Sequence, residues 1–285
     1  MKIKILCALL LTMLLASCGE YNKILKSTDG ELKYTYAKKY FDEKKYNRTI
    51  TLLEEIRTVY LNTPKEEEIL YLLAQSYFYD KDYITASQQY ARYYTKFPKG
   101  EYTELARFNA AYGMYLSSPD ARLDQTSTIK AIQEFQNFLE LYPQSEKAPE
   151  AQQYMFELQE KLAYKEFLAA RLYFNLGLYA RNNYYESCVV TAEEALKSYP
   201  FSAFAEEFQI LIVRSRFELA VYSIEAKKDT RYRELIDEYF NYKNMFPVGK
   251  YIKESENYYR KALKAIGQEI DEATSETVQQ ELEKK

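Results

Sequence analysis

Four times in this chain an aromatic residue is followed by proline, one further residue and a small one. The copies are Phe97-Pro98-Lys99-Gly100, Tyr142-Pro143-Gln144-Ser145, Tyr199-Pro200-Phe201-Ser202 and Phe246-Pro247-Val248-Gly249. Proline has no N–H and its ring clashes with the carbonyl four residues back, so a helix stops before it. It also pushes the preceding residue out of the α region. A small residue two places later permits a new start, and Ser145 and Ser202 read as helix N-caps. Each copy is a stop followed by a start, which makes the chain a string of helices.

The stretch before each proline repeats as well. Pro98 has Tyr90 eight places before it and Ala86 twelve before; Pro143 has Phe135 and Ala131, Pro200 has Ala192 and Cys188, and Pro247 has Tyr239 and Leu235. A small residue, an aromatic four later and then a proline form the second-helix half of the tetratricopeptide pattern. The first-helix half is clearest in residues 67 to 98, where Leu70, Leu73, Ala74 and Tyr77 occupy the apolar, leucine, small and tyrosine positions. An earlier copy shows Tyr36, Ala37 and Tyr40, then Thr49 and Leu53. The later units exceed the repeat length of about 34 residues. Leu116-Ser117-Ser118-Pro119-Asp120 with the following polar residues reads as an inserted loop, and Ala148 to Tyr185 reads as one long helix. The fold class is therefore all-α, a tetratricopeptide-like helical-hairpin solenoid of about five repeats over residues 30–248. A C-terminal helix over 249–267 and an acidic tail over 268–285 follow. Such hairpins cannot bury their apolar faces alone, so they stack into a superhelix whose concave wall is a common binding surface.

Only 7 Gly and 7 Pro occur in 285 residues, too little punctuation for a strand-rich fold. There are 31 Tyr, 15 Phe, no Trp and no His. Without histidine the commonest general base and a frequent metal ligand are missing. The glycines never approach phosphate-loop spacing, and no basic stripe suggests nucleic acid. No catalytic residue, metal site or cofactor is expected. Tyrosine fills inter-helix positions while keeping a polar tip near solvent, and some of these rings are candidates to line a peptide groove.

The first residues, MKIKILCALLLTMLLASCGE, have the layout of a secretory signal: Lys2 and Lys4, an apolar run from Ile5 to Leu15, then Leu15-Ala16-Ser17-Cys18. The run is too short for a stable membrane span. The junction resembles the lipobox of bacterial lipoproteins. That resemblance implies a signal over 1–17, lipid on Cys18 and attachment to a membrane through acyl chains. Residues 18–29 are then expected to be a polar tether. Cys188, the remaining thiol, sits at a small-residue packing position and reads as buried and inert.

A lipid-anchored chain of such repeats resembles the BamD family, the lipoproteins of the β-barrel assembly machinery, over roughly residues 30 to 265. The resemblance is carried by AIQEFQNFLELYPQS from Ala131, by the Lys-Leu-Ala-x-x-Glu junction at Lys161 to Glu166, and by the run to Tyr184-Tyr185 and Tyr199-Pro200. It implies a non-enzymatic subunit at the outer membrane, facing the periplasm. The implied partners are the periplasmic domains of BamA and unfolded outer-membrane β-barrel proteins. The insert near 117–127 and the acidic extension depart from that pattern. Repeat geometry, taken separately, places Tyr34, Lys38, Phe41, Tyr71, Gln75 and Phe78 on the concave side of the first two units. Arg92, Lys96 and Arg107 are expected close by. An aromatic wall with nearby cations suits an extended peptide ending in a carboxylate. The competing reading is that the rings pack between helices and the cations are solvated. At the level of function the alternative is a repeat scaffold for other cell-envelope or division partners.

Overall fold

The computed structural model describes residues 19–268; the signal segment, Cys18 and residues 269–285 lie outside it. The described residues are helical hairpins throughout, with no strand among them. They form two compact units, one ending at Leu158 and the other beginning at Gln159. The first holds α1 (Gly30–Asp42), α2 (Tyr46–Ile56), α3 (Lys65–Tyr79), α4 (Tyr83–Lys96), α5 (Thr103–Leu116), α6 (Thr126–Leu141) and the start of α7 (Ala148–Leu176). The second holds the remainder of α7, then α8 (Tyr184–Ser198), α9 (Ala205–Val221), α10 (Glu225–Met245) and α11 (Ile252–Ala265).

The register read from the prolines is the register of the core. Ala86, Ala131, Cys188 and Leu235, each twelve residues before a proline, are all 0% exposed. The small side chains of Ala86, Ala131 and Cys188 let second helices approach first helices closely, while Leu235 departs from the pattern in size but not in burial. Burial pushes the Cys188 thiol up to about 11, so it stays protonated and unreactive.

The small residue after each proline has a cause the sequence did not reveal: it meets a glutamate from the preceding first helix. At Gly100 and Gly249 that glutamate is held by a tyrosine hydroxyl. Tyr93 donates to Glu67 Oε1 at 2.7 Å, and Tyr242 donates to Glu206 Oε1 at 2.7 Å. A Cβ on Gly100 would lie 2.3 Å from Glu67 Oε1 and 2.8 Å from the Tyr93 hydroxyl. Gly249 has the same environment, at 2.5 and 2.7 Å from Glu206 and Tyr242. In the other two copies the position five before proline is Phe138 or Ala195, which has no hydroxyl. There the serine makes the bond itself, Ser145 to Glu104 at 2.5 Å and Ser202 to Glu160 at 3.1 Å.

Three expectations are corrected. Ser145 and Ser202 are not N-caps. Their hydroxyls accept from the N–H of Lys147 and Phe204 inside the turn, and the helices begin at Ala148 and Ala205. The long helix does not reach Tyr185. It stops at Gly177, whose φ of +55° is left-handed, and after a short 3-10 turn over Tyr179–Arg181 the chain re-enters an α-helix at Tyr184, whose N–H donates to the Gly177 carbonyl at 2.8 Å. The segment before α1 is not a free tether over the residues described. Residues 19–25 are helical, Ile24 is buried, and Tyr21 meets the Tyr40 ring edge-on at 5.7 Å. The insert after α5 is a loop as read, closed by the buried Gln125 side chain, which donates to the Asp120 carbonyl at 2.7 Å.

Candidate functional site: an aromatic wall in the first unit

On α3 the helical pitch puts Glu68, Tyr71, Gln75, Phe78 and Tyr79 on one side, and Glu66, Ile69 and Leu70 on the other. The first of these sides is the candidate site. From α1, the Tyr34 hydroxyl donates to Glu68 and Lys38 Nζ lies 2.6 Å from the same carboxylate. Those bonds, Lys38 foremost, hold the Glu68 carboxyl below its ordinary range. Phe41 meets Tyr79 at 5.9 Å between ring centroids. From α5, Tyr112 lies 5.8 Å from Phe78, and Tyr154 of α7 stacks on Tyr112 at 4.9 Å. A continuous run of rings thus crosses α1, α3, α5 and the first turns of α7, all within the first unit.

Between α3, α5 and α7 this wall opens into a cavity of about 290 Å³, with Tyr71, Gln75, Phe78, Asn109, Tyr112, Lys147, Glu150 and Tyr154 in its lining. Tyr71 is its most telling member. The ring is 6% exposed and stacks on Tyr102 at 4.2 Å, but its hydroxyl has no hydrogen-bond partner among the described residues. Burial pushes that hydroxyl up to about 12, so it remains a neutral donor at any physiological pH. A buried donor without a partner is costly and calls for an explanation. Gln75 and Asn109 line the same cavity. The cation here is Lys147, 2.7 Å from Glu150 and 5.3 Å above the Phe108 ring.

Of the residues expected at this wall, Tyr71, Gln75 and Phe78 share the cavity, and Tyr34, Lys38 and Phe41 extend the same surface along α1. Three do not belong to it. Arg92 and Lys96 line a separate cavity on the Glu66–Ile69–Leu70 side of α3, and Arg107 lies over the Tyr94 ring at 4.2 Å, on the side of α5 away from Tyr112. Sequence reading missed Tyr79, Asn109, Tyr112, Lys147 and Tyr154. A signal for two of them existed: carrying Gln75 and Phe78 forward by the repeat length of about 34 residues lands on Asn109 and Tyr112.

The helices that build this wall fall inside the span that matches a known family. Residues 27–182 match the family described as YfiO, outer membrane lipoprotein. The chain belongs to that family. Among curated proteins no match is found. Membership in the YfiO family places the chain among outer-membrane lipoproteins and agrees with the BamD-like resemblance at the level of the family. Among the described residues no helix is long and apolar enough to cross a membrane.

Proposed function

We propose that this YfiO-family protein is the non-enzymatic lipoprotein subunit of a β-barrel assembly machine. Cys18 carries the lipid, the helical units face the periplasm, the periplasmic domains of BamA are the principal partner, and unfolded barrel proteins are the clients. The family supports the location and the general role; the aromatic wall supports the client. The single observation that carries the client reading is Tyr71, a ring in the lining of this cavity whose buried hydroxyl has no partner among the described residues. An extended backbone supplies carbonyls for that donor and for the amides of Gln75 and Asn109, while its alternate side chains lie on Phe78, Tyr112 and Tyr154. Lys147, replacing Arg92, Lys96 and Arg107 in the role first expected of them, is placed to attract a terminal carboxylate if Glu150 yields it.

The test of the partner is co-isolation. The tagged native chain, extracted from membranes in mild detergent, should bring down a BamA-type barrel protein in near-stoichiometric amount. Recovery of division or cell-envelope proteins in its place would favour the general scaffold reading.

A further inference from the structure

The cavity on the opposite side of α3 has a different chemistry. It measures about 340 Å³ and is lined by Arg57, Thr58 and Leu61 after α2, by Glu66, Ile69 and Leu70 of α3, and by Arg92 and Lys96 of α4. Its floor is aliphatic: Ile69 is fully buried, Leu70 is nearly so, and Leu61 stands half-exposed at the edge. Its rim carries three cations against one carboxylate, in a chain whose net charge is −3. That carboxylate is already committed. Glu66 is 3% exposed, bonded to Lys96, and accepts the Asn62 N–H at 2.7 Å. Arg57 has Glu54 at 3.0 Å, and Arg92 makes no ion pair among the described residues.

The repeat supplies an internal comparison. In the second unit a cavity of about 330 Å³ lies between the corresponding helices, lined by Glu193, Lys197, Gln209, Ile212, Glu238 and Asn241 among others, with one cation against two carboxylates. Counting back from Pro98 and Pro247, Arg92 corresponds to Asn241 and Lys96 to Met245. The hairpin geometry therefore creates the groove in both units but does not dictate cations around it. Of these two grooves, only that of the first unit carries an excess of cations.

We infer that this groove docks an acidic segment of a partner protein, one aliphatic side chain seated on Leu61, Ile69 and Leu70 with carboxylates to either side of it. Arginine suits the role because its planar fork binds a carboxylate through two parallel hydrogen bonds. Arg57 comes from the α2 side and Arg92 from the α4 side, so the cations bracket the apolar floor as an acid–apolar–acid segment requires. The site is separate from the client wall, and its test does not touch Tyr71 or Lys147.

The test uses the intact chain and a fluorescein-labelled peptide of three Glu-Leu-Glu-Gly repeats, read by anisotropy. Saturable binding is expected, weakening as salt rises toward a Debye length of roughly 3 Å. Arg92→Glu and Arg57→Glu should each weaken it by at least about tenfold, and Arg92→Gln by less; melting temperature should stay unchanged in the Arg92 variants, because Arg92 is exposed. Lys253→Glu, remote in sequence and exposed, should leave it intact. The inference is overturned by absence of binding, by equal binding of the Lys-Leu-Lys-Gly counterpart, or by indifference to both arginine reversals. It is equally overturned if dodecyl phosphate occupies the groove while the peptide does not, which would make the ligand a lipid.

Discussion

Replacing Tyr71 with phenylalanine removes one oxygen and nothing else. The ring keeps its stack on Tyr102 at 4.2 Å and its contacts with Tyr93 and Tyr90 at 5.4 and 5.9 Å. What is lost is a buried hydroxyl with no partner. A buried polar group left unsatisfied costs about 1–3 kcal/mol, so Tyr71→Phe should stabilise the free protein, by about 1 kcal/mol, where most substitutions of a buried tyrosine destabilise. Client binding should move the other way. If the hydroxyl donates to the backbone of a bound segment, removing it costs about 0.5–1.5 kcal/mol, roughly a twofold to tenfold weaker complex. The assays are chemical denaturation of the free chain and titration with a synthetic peptide ending in phenylalanine. A stability gain with an affinity loss is the expected pair. A stability loss would mean that the hydroxyl has a structural partner in the free protein and is not held in reserve for a ligand. Unchanged affinity would refute its role in binding.

Other consequences are open to test. Gly100→Ser alone should destabilise by about 1–3 kcal/mol through overpacking against Glu67 and Tyr93, but combined with Tyr93→Phe it converts one kind of turn into the other. The double variant should recover at least about 1 kcal/mol relative to additivity, and additivity within about 0.5 kcal/mol would dismiss the exchange of hydroxyls. Cys18→Ser should release the protein from the membrane fraction and abolish lipid labelling; retention with labelling intact would disprove the anchor. Burial alone would raise the Glu66 carboxyl, but Lys96 and the Asn62 N–H outweigh it and hold it low. The folded form therefore favours the ionised carboxylate, its contribution is present above the usual carboxylate range of roughly pH 4, and it is lost on acidification below that. Glu66→Gln should flatten the acid limb of a stability–pH curve while lowering the plateau, and an unchanged acid limb would exclude Glu66 as a contributor.

Much of the architecture was legible because proline acts locally. The stop before each proline depends on one missing N–H and one clash, and the residue twelve places before it is buried in every copy, small in three and a leucine at Leu235. The helix end at Gly177 was not legible in the same way. Glycine permits a left-handed turn without compelling one, and the structure uses that freedom only because Tyr184 and Tyr185 pack back beside it. The wall was half legible. Tyr71, Gln75 and Phe78 were found because first-helix positions repeat, but Arg92, Lys96 and Arg107 were assigned by nearness in the repeat without regard to direction. At about 100° per residue, neighbours in sequence face opposite ways, and these three face away. Lys147 was invisible because its place beside Phe108 depends on how α7 crosses α5. The serine and glycine positions after each proline carried a tertiary signal in their pairing with Phe138, Ala195, Tyr93 and Tyr242 that only the glutamates of the preceding helices explain.

Rings on this side of α1, α3, α5 and α7 that hold a client must do more than pack. Tyr79 separates the two, because it is 50% exposed yet sits in the run of rings between Phe41 and Phe78. Tyr79→Ala should change the stability of the free chain by no more than about 1 kcal/mol, and it should weaken binding of a phenylalanine-terminated peptide by about tenfold or more if the ring is a binding anchor. An affinity loss with melting essentially unchanged is the expected result. Unchanged affinity, or a loss of folding that accounts for all of the affinity change, would contradict it.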